Sequence, residues 1–171
     1  MVVGRIHTIP LGQLLLERKE VSEENLQVAI NEQRGTGKVL GNILIEKHFA
    51  SEESVYKALA DQMGYKYLPN LPINLIDNKV LARLDTNVLR KKSVVPIRHK
   101  GSTCFVISDP SDDLVIKYLS EQGYISHKRL LTTPANIETL YSEIMVSDRK
   151  TVGKQISQMQ KMEWITKKEN L

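Results

Sequence analysis

The sequence predicts an α+β protein, in which a pseudo-symmetric four-helix repeat unit precedes a small α/β subdomain with a roughly three-stranded sheet. An internal repeat with an offset of 29 residues predicts the helical part, because 10 of the 26 positions in 10–35 are identical to their counterparts in 39–64. Beyond residue 80, valine- and isoleucine-rich segments alternate with helical patterns, and this order predicts the α/β part.

The first helix of each repeat is short and apolar. Its apolar residues follow the i, i+3, i+4 spacing of one helical face. They are Leu11, Leu14 and Leu15 in the first copy and Leu40, Ile43 and Leu44 in the second. Neither helix is long enough to be stable alone, so we expect each to pack on other parts of the repeat unit.

The second helix of each repeat is predicted to begin after Ser22 or Ser51, whose hydroxyl groups suit helix N-caps. Two glutamates follow each serine and favour the positive end of the helix dipole. The apolar stripes are Leu26, Ala29 and Ile30, then Val55, Ala58 and Leu59, and Gln33 and Gln62 continue them. Residues 10–64 are therefore predicted to form two helical hairpins that pack together.

The domain organisation follows from these patterns. We expect a helical half over 1–64, an ordered linker over 65–79, a small α/β half over 80–145 and a basic tail over 146–171. The α/β half is predicted to contain a helix over 79–92, strands over 93–98 and 102–108, a helix over 111–122, a strand over 128–132 and a helix over 136–145. Pro96 predicts that its strand lies at a sheet edge.

Composition narrows the class of protein. The chain has 24 basic and 20 acidic residues and a net charge of +4, with the charges interspersed, so we expect no nucleic-acid partner. It has no apolar run of the ~20 residues that would span a bilayer, so we expect no membrane insertion. With a single cysteine and no signal-peptide pattern, the expected location is the cytoplasm.

The repeat resembles a known family motif. It is similar to the 24-residue motif R-L-G-x-x-L-L-x-x-G-L-I-x-x-x-x-L-x-x-A-L-x-x-Q of the N-terminal domains of type II secretion and type IV pilus assembly ATPases. The two copies would be 10–33 and 39–62, joined by the five residues 34–38 as in that family. The segment 107–112 also resembles the second part of those domains. The resemblance covers roughly 10–145.

The resemblance implies a binding function. In this family, the MshEN branch binds the bacterial messenger cyclic di-GMP through both motifs, and other members dock an ATPase on a membrane-platform protein. The sequence departs from the motif at two positions in each copy. The opening arginine is Pro10 or Val39, and the internal glycine is Lys19 or His48. Arg5, His7 and Lys38 are nearby cations that could substitute for the arginines.

Cyclic di-GMP offers two phosphates and two guanines. It therefore needs cations or N–H groups, small residues near the backbone, apolar walls and amide groups. The candidate ligand-binding residues are Leu11, Gly12, Leu26, Ile30, Gln33, Lys38, Leu40, Gly41, Val55, Leu59, Gln62 and Asp109. Each has a plainer interpretation, since the glycines also suit close helix packing, the apolar residues suit a core, and the glutamines suit solvated helix ends.

Two hypotheses follow for the function. The chain is either a regulatory module that senses cyclic di-GMP at a degenerate site, or a docking module that binds an ATPase or platform partner without nucleotide. No enzymatic activity is expected, because Gly35-Thr36-Gly37-Lys38 lacks the spacing of a phosphate-binding loop. The four histidines show no metal-ligand spacing, and Cys104 is expected in the core. The sequence leaves the oligomeric state open.

The tail over 146–171 carries six basic and three acidic residues. It also contains Trp164, the single tryptophan of the chain, in a segment otherwise too polar to bury it. One interpretation is a solvated tail. The other is a helix that docks a partner or folds back on residues 1–145, with Trp164 as its anchor.

Overall fold

The structure is a computed structural model, and it describes residues 9–147 and residue 158. Four helices come first: α1 (Leu11–Glu17), α2 (Glu23–Thr36), α3 (Leu40–Glu46) and α4 (Glu52–Met63). The remaining elements are β1 (Lys66–Tyr67), a 3-10 helix (Ile73–Leu75), α5 (Asn78–Leu81), α6 (Thr86–Lys91), β2 (Val94–His99), β3 (Ser102–Ile107), α7 (Asp113–Glu121), β4 (Lys128–Leu131) and α8, which is helical over 134–147. The α+β class is confirmed.

The two repeats exchange partners when they pack. Helix α1 packs on α4, and α2 packs on α3, so each short helix lies against the long helix of the other repeat. The predicted N-caps are present, since Ser22 Oγ accepts from Asn25 N at 3.2 Å and Ser51 Oγ accepts from Ser54 N at 3.0 Å. The four helices therefore form the predicted pseudo-symmetric unit.

The sheet has four strands rather than three. Its order is β1-β4-β3-β2, with β1 parallel to β4, β4 parallel to β3, and β2 antiparallel to β3. The additional strand is β1, which lies in the segment 65–79 that was predicted to be a linker. Two residues are too few to show a period-2 pattern, so this strand could not be predicted from periodicity.

The helix that was predicted over 79–92 is two helices. Asp77 caps α5 by accepting from Val80 N at 3.3 Å, and Asp85 caps α6 by accepting from Asn87 N at 2.9 Å. A capping carboxylate at residue 85 competes with continuous helical hydrogen bonding and ends the first helix. Strand β2 does lie at the edge of the sheet, as Pro96 predicted.

Helix α4 contributes to both hydrophobic cores. Val55 and Ala58 are buried with the apolar residues of α1–α3, whereas Ala60 is buried with the residues of the sheet and its helices. Tyr56 and Leu59 also pack against this second core. The helical unit and the α/β half are thus joined through one helix, and two of its faces are packed against different cores.

Candidate functional site

Two glycines lie at the centre of the repeat unit. Gly12 and Gly41 are buried in the first turns of α1 and α3. A methyl group added at Gly12 would lie 2.8 Å from Leu26 Cδ1. A methyl group at Gly41 would lie 3.0 Å from Val55 Cγ1. The contact at Gly12 is closer than Cβ atoms normally make and the one at Gly41 is tight, so a larger residue at either position would force its neighbour to shift.

The contacts around the two glycines repeat with the same offset of 29 residues. The next neighbour of Gly12 is Leu40, and the next neighbour of Gly41 is Leu11, both at 3.5 Å. Six of the predicted site residues therefore meet at one place, which we call the glycine centre: Leu11, Gly12, Leu26, Leu40, Gly41 and Val55. The sequence repeat is thus matched by a repeat of contacts across a pseudo-twofold axis.

The apolar residues of the glycine centre differ in exposure. Leu26 and Val55 are buried, with 7% and 2% of their surfaces exposed, so their side chains belong to the core of the helical unit. Leu11 and Leu40 are half-buried and pack at the edge of the same core. The surface of the centre is therefore formed by the two leucines that begin α1 and α3.

Ile30 and Leu59 are counterparts in the repeat but contact different cores. Ile30 packs against the core of the helical unit, whereas Leu59 packs against the core of the α/β half. The symmetry of the sequence is broken here because only the second repeat is followed by a sheet. The structure therefore places Leu59 at the junction between the halves and away from its counterpart.

The two glutamines are half-buried at the ends of the long helices. Gln62 Nε2 donates to the carbonyl oxygen of Ile9 at 3.0 Å, which fixes the segment that leads into α1. Gln33 occupies the equivalent position on α2, four residues before the C-cap Gly37. Gln62 therefore has a structural hydrogen bond that any ligand would have to replace or share.

Lys38 is exposed and already has an acidic partner. Its Nζ lies 2.8 Å from Glu46 Oε2, and this hydrogen bond, together with the charge of Glu46, raises the pKa of Lys38. The adjacent Val39, at the position of the motif arginine, is 65% exposed. The cation nearest to the second motif position is thus held by a carboxylate rather than left free for a phosphate.

Asp109 lies at the junction between the halves. Its carboxylate accepts from Ser111 N at 2.9 Å and from Ser111 Oγ at 2.6 Å, which forms the turn before α7. Its charge also acts on Tyr56 of α4. Burial, followed by the charges of Glu52 and Asp109, raises the pKa of Tyr56 to about 12. Asp109 is thus placed beside the α4 face that meets the sheet and not in the glycine centre.

Two ion pairs that the sequence analysis missed hold the exchanged helices together. Arg18 on the α1 side pairs with Asp61 of α4 at 2.7 Å. Lys47 on the α3 side pairs with Glu32 of α2 at 2.6 Å. The four residues are counterparts at the 29-residue offset and keep their charge type in both repeats, which is the signal that could have revealed them.

Clefts also lie beside the first of these ion pairs. One of ≈ 520 Å³ is lined by residues that include Ile9, Leu14 and Tyr65, and one of ≈ 510 Å³ by residues that include Ser51 and Lys57. Arg18 and Asp61 line both. Both clefts are of a size that small ligands occupy.

The described residues give little support for a metal site, a reactive cysteine or a membrane-spanning helix. They contain no group of three or more His, Cys, Asp or Glu side chains that could hold a metal ion. Cys104 is buried, and burial raises the pKa of its thiol, as suits a core residue. None of the helices in the described part of the chain has the length and apolar character that a membrane crossing requires.

Some of the predicted features lie outside the described residues. These are the nearby cations Arg5 and His7 and almost all of the basic tail, including Trp164. The described part of the tail is 146–147, the end of the described part of α8, and residue 158.

Comparison with known proteins finds similarity in structure alone. No protein-family model matches the chain, and no curated protein sequence matches it. A solved structure of MshE with cyclic di-GMP is similar, with 24% identity and a TM-score of 0.61 over 79% of this chain and 98% of that one. The N-terminal domain of XpsE is similar with 18% identity and a TM-score of 0.53, over 76% of this chain and 90% of that one. The chain thus has the fold shared by the N-terminal domain of XpsE and the structure of MshE with cyclic di-GMP.

Proposed function

We propose that the chain is a non-catalytic regulatory or adaptor module of a bacterial secretion, pilus or motility system, acting in the cytoplasm. The glycine centre is the observation that carries this proposal. Two copies of one motif, found in the resembling family as a pair, converge here on a single pseudo-symmetric surface. The similarity in fold to MshE with cyclic di-GMP supports the same conclusion.

We further propose that the helical unit binds cyclic di-GMP more weakly than micromolar. Leu11 and Leu40 provide half-buried apolar surface for the guanines, and Gln33 has amide groups for a base edge. Few groups are available to bind the phosphates. Pro10 and Val39 have no charge, and Lys38 would have to leave Glu46 to reach a phosphate. Lysine also lacks the planar fork with which arginine holds a phosphate.

Calorimetric titration of the intact chain with cyclic di-GMP tests this proposal. We expect weak heat and a Kd above 1 µM. Gln33→Ala and Lys38→Ala should each weaken the binding, whereas Lys91→Ala on α6 is the matched control and should not. A sub-micromolar Kd would show that other groups replace the arginines. If all three substitutions weakened binding equally, the binding site would not lie in the helical unit.

One observation favours the second candidate function, a protein-docking module that binds no nucleotide. Val39 is 65% exposed where the resembling motif has a cation, and an exposed apolar side chain is better suited to a protein surface than to a phosphate. If calorimetry detects no binding of cyclic di-GMP even at millimolar ligand, this candidate becomes the preferred function. The partner would then be an ATPase or a membrane-platform protein.

A further inference from the structure

A cleft lies in the α/β half, where the β2–β3 turn meets the start of β4. It measures ≈ 450 Å³, and its lining includes His99, Lys100, Ser102, Ser126, His127 and Lys128. No acidic residue occurs among the described residues that line it. We call it the basic cleft. Its walls combine cations, imidazoles and hydroxyl groups, which are the groups that bind carboxylates.

The strand register explains why these residues come together. His99 is paired with Ser102, and Cys104 is paired with both Ile97 and Lys128. Directly paired residues project from the same face of a sheet. The β2–β3 turn and the first residue of β4 therefore lie at the same end of the sheet, where they border one cleft.

The cations of the basic cleft are not neutralised within the described residues. Neither Lys100 nor Lys128 forms an ion pair there, whereas Lys38, Lys47 and Arg18 in the helical unit each have an acidic partner. The buried Asp77 lies close to the cleft, next to the lining residue Thr103. Its carboxylate accepts from Thr103 Oγ1 at 2.7 Å and lies 3.6 Å from Arg98 Nε.

The imidazole ring of His127 forms part of the wall of the basic cleft. Its ring packs edge-on against Tyr124 and Phe105, with centroid distances of 5.0 Å and 6.0 Å. Its Nδ1 is buried and has no hydrogen-bond partner among the described residues. A buried polar atom without a partner among the described residues is uncommon in folded proteins.

We propose that the basic cleft binds an acidic segment of a protein partner. Carboxylates of that segment would pair with Lys100 and Lys128, and the hydroxyl groups of Ser102 and Ser126 would donate to them. An acidic peptide fits better than a nucleic acid, since the two neighbouring aromatic residues in the described part of the chain, the buried Phe105 and the half-buried Tyr124, offer little surface for base stacking. The proposal rests on the adaptor function above but uses a different surface.

Fluorescence anisotropy of a labelled octaglutamate peptide, titrated with the intact chain at low salt, tests this proposal. We expect binding that weakens as salt is added. The double variant Lys100→Glu/Lys128→Glu should weaken it roughly tenfold or more, since two charge-assisted contacts are lost. Lys91→Glu is the matched control, because Lys91 is exposed on α6, next to the opposite end of β2.

Three results would overturn the proposal. These are no binding of the peptide, an equal loss of affinity in the Lys91→Glu control, or tighter binding of single-stranded DNA through the same two lysines. Lys100→Gln/Lys128→Gln provides a second variant that adds no negative charge and should show a smaller loss in the same direction. Cyclic di-GMP titration of the double variant should match that of the native chain, which separates this proposal from the one about the helical unit.

Discussion

At the scale of single residues, Lys19 and His48 explain one feature of the resembling motif. They occupy the position where that motif has an internal glycine, and their backbone φ angles are +58° and +57°. This left-handed conformation is strained for residues with a Cβ atom and is unstrained for glycine. Each residue follows a short helix and turns the chain towards the next one, so the motif glycine is a turn residue.

The strain at these two positions predicts that Lys19→Gly and His48→Gly stabilise the protein. Each should raise the free energy of unfolding by up to about 1 kcal/mol, after the greater freedom of glycine in the unfolded chain is allowed for. Urea denaturation measures this. Gln27→Gly, in the middle of α2, is the control and should destabilise by about 1 kcal/mol. A loss of stability in all three variants would contradict the strain argument.

At the scale of helices, the sequence predicted which segments are helical better than it predicted where the helices end and which helices pack together. The repeat predicted α1 to α4 because periodicity and serine caps are local signals. The break between α5 and α6 was missed because Asp85 ends one helix only by capping the next. The exchange of helix partners could not be predicted, since the pattern is the same whether a short helix packs within its own repeat or on the other.

Close helix packing at the glycine centre gives an element-scale prediction. Gly12→Ala should destabilise by about 1–3 kcal/mol, because its new methyl group meets the buried Leu26. Gly41→Ala should cost less, since its nearest contact is longer.

Gly35→Ala is the matched control for both substitutions. Gly35 lies within α2 and has open space around its Cα, so alanine should stabilise by about 0.5–1 kcal/mol. Thermal unfolding distinguishes the three variants. Stabilisation by Gly12→Ala would show that the two helices are not in close contact there.

At the scale of the whole molecule, the two halves are joined through α4. The twelve candidate site residues are divided between the helical unit and this junction. Six of the twelve meet at the glycine centre, because both repeats bring them there. Leu59 and Asp109 lie at the junction instead. The sequence could not separate these groups, because the apolar stripe of α4 does not reveal that part of it packs against the core of the α/β half.

Tyr56 reports on this junction through its titration. Its pKa is raised by burial and by the charges of Glu52 and Asp109 from 10.0 to about 12. A phenol with a raised folded-state pKa stabilises the protein fully below pH 10 and loses that contribution as the pH rises to about 12. The alkaline loss of stability should therefore be smaller in Tyr56→Phe.

Absorbance titration at 295 nm measures the phenol directly, as the difference between the native chain and Tyr56→Phe. Asp109→Asn should lower the pKa of Tyr56, whereas Asp113→Asn, an exposed change at the start of α7, should leave it unchanged. An ordinary pKa for Tyr56 in the native chain would mean that α4 is not packed against the α/β half as described.

In the function proposed above, the helical unit binds cyclic di-GMP weakly because Pro10 and Val39 stand where the resembling motif has arginines. The measurement that tests this most directly is calorimetry of cyclic di-GMP binding to the double variant Pro10→Arg/Val39→Arg. Both positions are exposed, so arginine disturbs no core. Asn74→Arg/Gln122→Arg adds the same charge at exposed sites in the α/β half and is the control. We expect an affinity gain of roughly two orders of magnitude in the first variant, and little change in the second. An unchanged affinity in the first variant, or an equal gain in both, would contradict the account.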